Sequence, residues 1–107
     1  MRFFRFLILS ALSLVLGSPC QALDSAAWHK NTKDGGRAYE NGNFGEAEKL
    51  FKAALEDLKG APQNDIRLAE SYNNLAVLYV NRNQLAKAEP LFEKALKIKE
   101  AALGGSD

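Results

Sequence analysis

Cysteine, histidine, tryptophan and methionine occur once each among 107 residues, and proline three times. The single cysteine is Cys20 and the single histidine is His29, so a metal centre built from His and Cys within this chain is excluded. Ser71 has neither a partnered histidine nor a nucleophile turn and reads as an ordinary helix residue, and His29 reads as an exposed residue of a first helix. Acidic neighbours such as Glu46 with Glu48 and Glu56 with Asp57 alternate with lysines, which is the pattern of a solvated helix face rather than of a catalytic carboxylate pair. The chain is not expected to be an enzyme or to carry a cofactor or metal. Charge of one sign is also lacking: 14 Lys and Arg stand against 13 Asp and Glu, with no basic block. Nothing in that balance recommends nucleic acid or an anionic membrane surface as partner.

Long apolar runs are scarce too. The longest spans residues 6–16 and is interrupted by Ser10 and Ser13. Arg2 and Arg5 precede it, and Ser18-Pro19-Cys20-Gln21-Ala22 follows it. A basic start, a short apolar core and a small-residue end make a secretory signal, with cleavage expected after Ala22. A core confined to residues 6–16 is well short of the roughly 20 residues that span a bilayer, so no stable membrane anchor is expected after cleavage. A retained anchor and a lipid-modified Cys20 are the alternatives. Pro19 stands where a lipidated cysteine would normally follow a small residue such as Gly or Ala. The mature chain, residues 23–107, then has no cysteine, although it enters a secreted or periplasmic compartment.

What the chain does have is a repeat. Residues 44–55 read FGEAEKLFKAAL, and residues 85–96 read LAKAEPLFEKAL. Ala47/Ala88, Glu48/Glu89, Leu50/Leu91, Phe51/Phe92, Ala54/Ala95 and Leu55/Leu96 are identical. Repetition at a period of roughly 20–50 residues signals stacked helical units that bury one face on their neighbours.

Spacing predicts four helices and an all-α fold. The third, residues 65–82, carries Leu68, Ala69, Tyr72, Leu75, Ala76, Tyr79 and Val80 in one stripe at helical period. The second, residues 44–59, and the fourth, residues 85–103, carry the repeated stripe. Asn43 with Glu46 looks like a capping box for the second helix, and Asn64 is placed to cap the third. Pro90 removes one backbone donor inside the fourth and reads as a tolerated local kink. The first helix, residues 25–41, contains Gly35 and Gly36, which fits either a close approach by a neighbour or a break. Short links at residues 41–43 and 81–84 make each pair of helices an antiparallel hairpin.

These hairpins resemble tetratricopeptide repeats. The second helix of each pair gives Ala47-x3-Phe51-x2-Ala54 and Ala88-x3-Phe92-x2-Ala95, and the third helix gives Leu75-Ala76-x2-Tyr79. Small residues let two helices approach while an aromatic fills the space beside them. Residues 71–104 are most similar to the kinesin light chain type of repeat, through Asn73-Asn74-Leu75-Ala76-x-Leu78-Tyr79 and Ala88-Glu89-Pro90-Leu91. The resemblance implies two antiparallel helix-turn-helix hairpins in right-handed stacking, a fragment of an α-solenoid. The signal would occupy residues 1–22 and the repeat domain residues 23–107, with repeats at about 28–59 and 69–103. In the first repeat either Gly35 and Ala38, or Gly36 and Tyr39, match the small and aromatic positions.

The resemblance also implies a function: binding of a protein or peptide on the concave face made by the first helix of each hairpin. In such a face an asparagine amide, both donor and acceptor, holds the backbone of an extended peptide. Asn74 is the leading candidate, with Asn73, Val77 and Asn81 beside it. Lys33, Gly36, Tyr39 and Glu40 occupy the comparable face of the first repeat. Ala47, Phe51, Ala54, Ala76, Tyr79, Ala88, Phe92 and Ala95 are assigned to repeat packing. Two hairpins leave one side of the last helix uncovered. A longer parent protein, a homo-oligomer formed through that C-terminal helix, or docking on another protein would each cover it.

Overall fold

In the computed structural model, residues 25–104 are described. The expected signal at residues 1–22 lies outside them. Four helices follow in order: α1 (Ser25–Glu40), α2 (Phe44–Asp57), α3 (Ile66–Asn81) and α4 (Leu85–Ala102). No strand occurs among the described residues. α1 pairs with α2 and α3 with α4, and α2 packs on α3 to join the two hairpins.

The two hairpin turns are built alike. Gly42 (φ +80°) and Asn83 (φ +61°) both take the left-handed conformation, at equivalent places in the two copies of the repeat. Around Gly42, its N–H donates to Tyr39 O (3.0 Å) and the Asn43 N–H to Ala38 O (2.8 Å). Around Asn83, its N–H donates to Val80 O (2.9 Å) and the Gln84 N–H to Tyr79 O (2.8 Å). This is the Schellman closure, which satisfies the last carbonyls of the first helix while reversing the chain. Glycine enters that conformation freely, and asparagine is among the few other residues that tolerate it.

Helix starts differ from expectation in two places. Asn43 makes no side-chain capping bond to α2. At α3 the cap is Asp65 rather than Asn64: its carboxylate accepts from the Arg67 N–H at 3.0 Å. The Arg67 guanidinium folds back onto the same carboxylate at 2.6 Å and also donates to Ser25 Oγ at 2.7 Å. Held this way, the Asp65 carboxyl lies below its usual range. One residue's shift in the cap thus ties the start of α3 to the start of α1. Pro90 is accommodated without a break in α4.

α1 is continuous through both glycines. A Cβ on Gly35 would lie 2.6 Å from Cε1 of Phe51, whereas one on Gly36 would meet nothing within 4 Å. Gly35 and Ala38 are buried, and they are the first-hairpin equivalents of the buried Ala76 and Tyr79. The first hairpin therefore packs in the Gly35/Ala38 register.

The core runs through both hairpins. Ala38, Ala47, Phe51, Leu75, Ala76, Leu78, Tyr79 and Ala88 form its main cluster. Trp28 joins Ala54 and Leu58 beside it, and donates its indole N–H to Ser71 Oγ at 2.8 Å. Ser71 is thus a buried acceptor rather than an ordinary helix residue, and the bond joins α1 to α3. Across the α2–α3 junction, Glu48 accepts from the Tyr79 hydroxyl at 2.7 Å and from the Arg82 guanidinium at 2.8 Å. Lys52 adds an ion pair at 3.1 Å. The Tyr79 hydrogen bond, with help from Lys52 and Arg82, holds the Glu48 carboxyl below its usual range. Burial, and then the Glu48 carboxylate, push the Tyr79 hydroxyl up. Glu48 is therefore a clamp between hairpins, not a member of a merely solvated acidic pair.

Candidate functional site

A groove of about 220 Å³ opens between the first helices of the two hairpins. α1 supplies Gly36, Tyr39 and Glu40; α3 supplies Asn74 and Val77; Phe51 of α2 reaches it from below. Its geometry follows from the packing just described. Phe51 is buried against Gly35, which brings α2 close under α1 and sets an aromatic beneath the gap. Gly36 has open space where a side chain would stand, so the α1 wall is backbone at that point. Tyr39 leans on Phe44, with ring centres 5.7 Å apart.

The residues expected to recognise a partner are not all brought together. Asn74 and Val77 line the groove. Asn74 is half-buried, and its side-chain amide has no hydrogen-bond partner among the described residues. Asn81 sits one turn beyond Val77 and uses its amide N–H groups on the Tyr39 hydroxyl and on Val77 O. It braces α3 to α1 at one end of the groove. Asn73 is half-buried on α3 but does not line this groove. From the first hairpin, Gly36, Tyr39 and Glu40 take part, while Lys33 is exposed elsewhere on α1.

The arrangement offers a peptide three things. The Asn74 amide supplies a free donor and a free acceptor, matching one peptide unit. Val77 and the Phe51 ring supply apolar surface, and Glu40 places a carboxylate at the α1 rim. Among the described residues, no three His, Cys, Asp or Glu side chains gather as metal ligands. No described helix is long and apolar enough to cross a membrane. His29 is exposed, in tilted contact with Trp28.

Of the residues assigned to packing, Ala47, Phe51, Ala54, Ala76, Tyr79, Ala88 and Ala95 are buried. Phe92 departs from that assignment and is 37% exposed. Its counterpart Phe51 is covered by the following hairpin, and no described helix plays that part for Phe92. Phe51 has a second role that its motif did not announce, since its ring also reaches the groove.

Residues 68–107 match the tetratricopeptide repeat family. The match covers the second hairpin, and the internal repeat carries the same pattern into the first. Neither the curated proteins nor the solved structures give a match.

Proposed function

Proceeding from a chain that is a tetratricopeptide-type repeat protein by its second hairpin, we propose that it binds an extended peptide segment of a partner protein in the α1–α3 groove. The carrying observation is the Asn74 amide, unpaired and half-buried on a wall that also presents Val77 and Phe51. Asn74 holds one peptide unit of the ligand by donating to its carbonyl and accepting from its N–H. A small or apolar ligand side chain then lies over Phe51 and Val77, and Glu40 favours a basic neighbour. Two or three such hydrogen bonds contribute about 1 kcal/mol each. Association costs several kcal/mol before any gain, so a two-hairpin groove binds weakly unless further contacts are added. The role is binding rather than catalysis.

The test is a peptide array probed with the purified chain, followed by titration of the selected peptides. Asn74→Ala should weaken them roughly fivefold, about 1 kcal/mol, with unchanged helicity by circular dichroism. Equal affinity of Asn74→Ala and the parent chain sinks the assignment. The proposed setting is outside the cytoplasm, a secreted or periplasmic one. Intact mass of the mature protein checks it: cleavage after Ala22 leaves a chain that begins at Leu23.

A further inference from the structure

Gly36 is the residue of α1 that packing leaves unexplained. Glycine inside a helix is destabilising relative to alanine. At Gly35 the fold requires it, because a Cβ would strike the Phe51 ring. At Gly36 it does not: a Cβ there would meet nothing within 4 Å, and the helix runs through without a break. Nor does the repeat need glycine at this position. One repeat on, the equivalent residue is Val77, in a helix of the same 16 residues. A place where a local rule is broken with no structural gain is where function is to be sought. Here the vacancy opens into the groove that Gly36 and Val77 both line.

The vacancy is held open. Tyr39, the large side chain beside Gly36 in that groove, rests on Phe44 and accepts an Asn81 N–H on its hydroxyl, so its ring is kept from folding over the gap. The Phe51 ring and Val77 give the space apolar surface. Its roughly 220 Å³ would hold about seven waters at about 30 Å³ each. Water against that surface has few partners. A methyl group displaces about one such water, whereas a leucine, methionine or phenylalanine side chain displaces several at once.

We infer that Gly36 sets the specificity of the groove by admitting a large apolar side chain of an extended peptide, beside a lysine or arginine that meets Glu40. The inference rests on the peptide-binding reading above and narrows it from a small or apolar residue to a large one. Asn74 holds the peptide backbone, and the large side chain passes over the bare α1 backbone onto Phe51 and Val77. Glu40 is the charged side chain of the lining, exposed and without a partner among the described residues. It is complementary to a cation flanking the apolar residue and repels an acidic one.

The probes are acetylated, amidated pentapeptides Gly-Lys-Xaa-Lys-Gly in which Xaa is Ala, Leu or Phe, and the same series with Glu in place of Lys. Each is titrated into the isotope-labelled full chain and followed by NMR at the Val77 backbone amide. With lysine flanks, the Leu and Phe peptides should bind the parent chain at least about tenfold tighter than the Ala peptide. Gly36→Val, which copies the second hairpin, should cut that preference to about twofold or less and leave the Ala peptide's affinity unchanged. Gly36→Ala should fall between, and both variants should keep the parent's helicity by circular dichroism. The Glu-flanked peptides should bind the parent about threefold more weakly than the Lys-flanked ones, and Glu40→Lys should reverse that order. Equal binding of the Ala and Leu peptides, or a preference untouched by Gly36→Val, overturns the proposal even where Asn74→Ala still weakens every peptide and so upholds the groove. Binding indifferent to Asn74→Ala removes the groove reading itself, and this inference with it. Absence of binding throughout the series overturns the proposal as well.

Discussion

Two neighbouring glycines in α1 have opposite surroundings, and substitution should separate them. Gly36→Ala meets open space, so it keeps the gain in helix propensity, up to about 1 kcal/mol. Gly35→Ala gains the same propensity but drives a methyl into the Phe51 ring and to 3.3 Å from Leu50 Cβ. Overpacking a filled core costs about 1–3 kcal/mol, which exceeds the propensity term over most of that range. Urea unfolding should therefore show a raised midpoint for Gly36→Ala and a lowered one for Gly35→Ala. The Trp28–Ser71 bond makes a second residue-scale case. Ser71→Ala strands a buried indole N–H, at a cost of about 1–3 kcal/mol. In a Trp28→Phe background the same Ser71→Ala change should cost much less. A double-mutant cycle with no coupling between the two positions would count against the bond as a link between hairpins.

At the scale of elements, the hairpin turns are the same device made with different residues. Asn83 holds a left-handed conformation that Gly42 holds in the first copy. A residue with an ordinary Cβ pays roughly 1–2 kcal/mol there, and asparagine less. Asn83→Ala should thus lower the thermal midpoint, while Asn83→Gly should stay near the parent value. Much of this level is legible in the sequence, because the repeat carries stripe, turn and helix length together. Asn41-Gly42-Asn43 already reads as a tight link, and Ala47, Phe51 and Ala54 already mark the packing face. The course of α1 is not legible. Two glycines in mid-helix fit a break as well as a contact, and only the Phe51 ring, from another element, decides between them. The cap of α3 escaped for a related reason. Asn64 and Asp65 are both good caps, and the choice falls to Asp65, whose carboxylate accepts from both the Arg67 N–H and the Arg67 guanidinium. Of the groove, Asn74 and Val77 were legible through the resemblance to tetratricopeptide repeats, and both line it. The bracing role of Asn81 was not, since its partner Tyr39 lies in the other hairpin.

For the whole molecule, the junction between hairpins rests on a carboxylate whose importance the sequence half conceals. Glu48 sits among alternating lysines and glutamates like any surface residue, and its one distinguishing mark is its recurrence as Glu89. In the fold it is mostly shielded and bound to Tyr79, Lys52 and Arg82. Its carboxyl titrates below the ordinary value of 4.5, so the folded state prefers the ionised form more strongly than the unfolded chain does. The resulting stabilisation is complete above about pH 4.5 and is lost as pH falls through the lower, folded-state value. Asp65 and Asp34 shift the same way from 3.8, through Arg67 and Lys30 respectively, and extend the loss further into acid. Stability should therefore be flat near neutrality and fall below about pH 4.5. Glu48→Gln, which keeps an acceptor for the Tyr79 hydroxyl but cannot titrate, should be less stable than the parent at pH 7. Its deficit should shrink as the pH drops, because protonation removes from the parent what the substitution has already removed. Urea midpoints measured for both chains from pH 7 to pH 3 test this directly. Parallel curves across that range would mean that Glu48 does not hold the hairpins together through its charge.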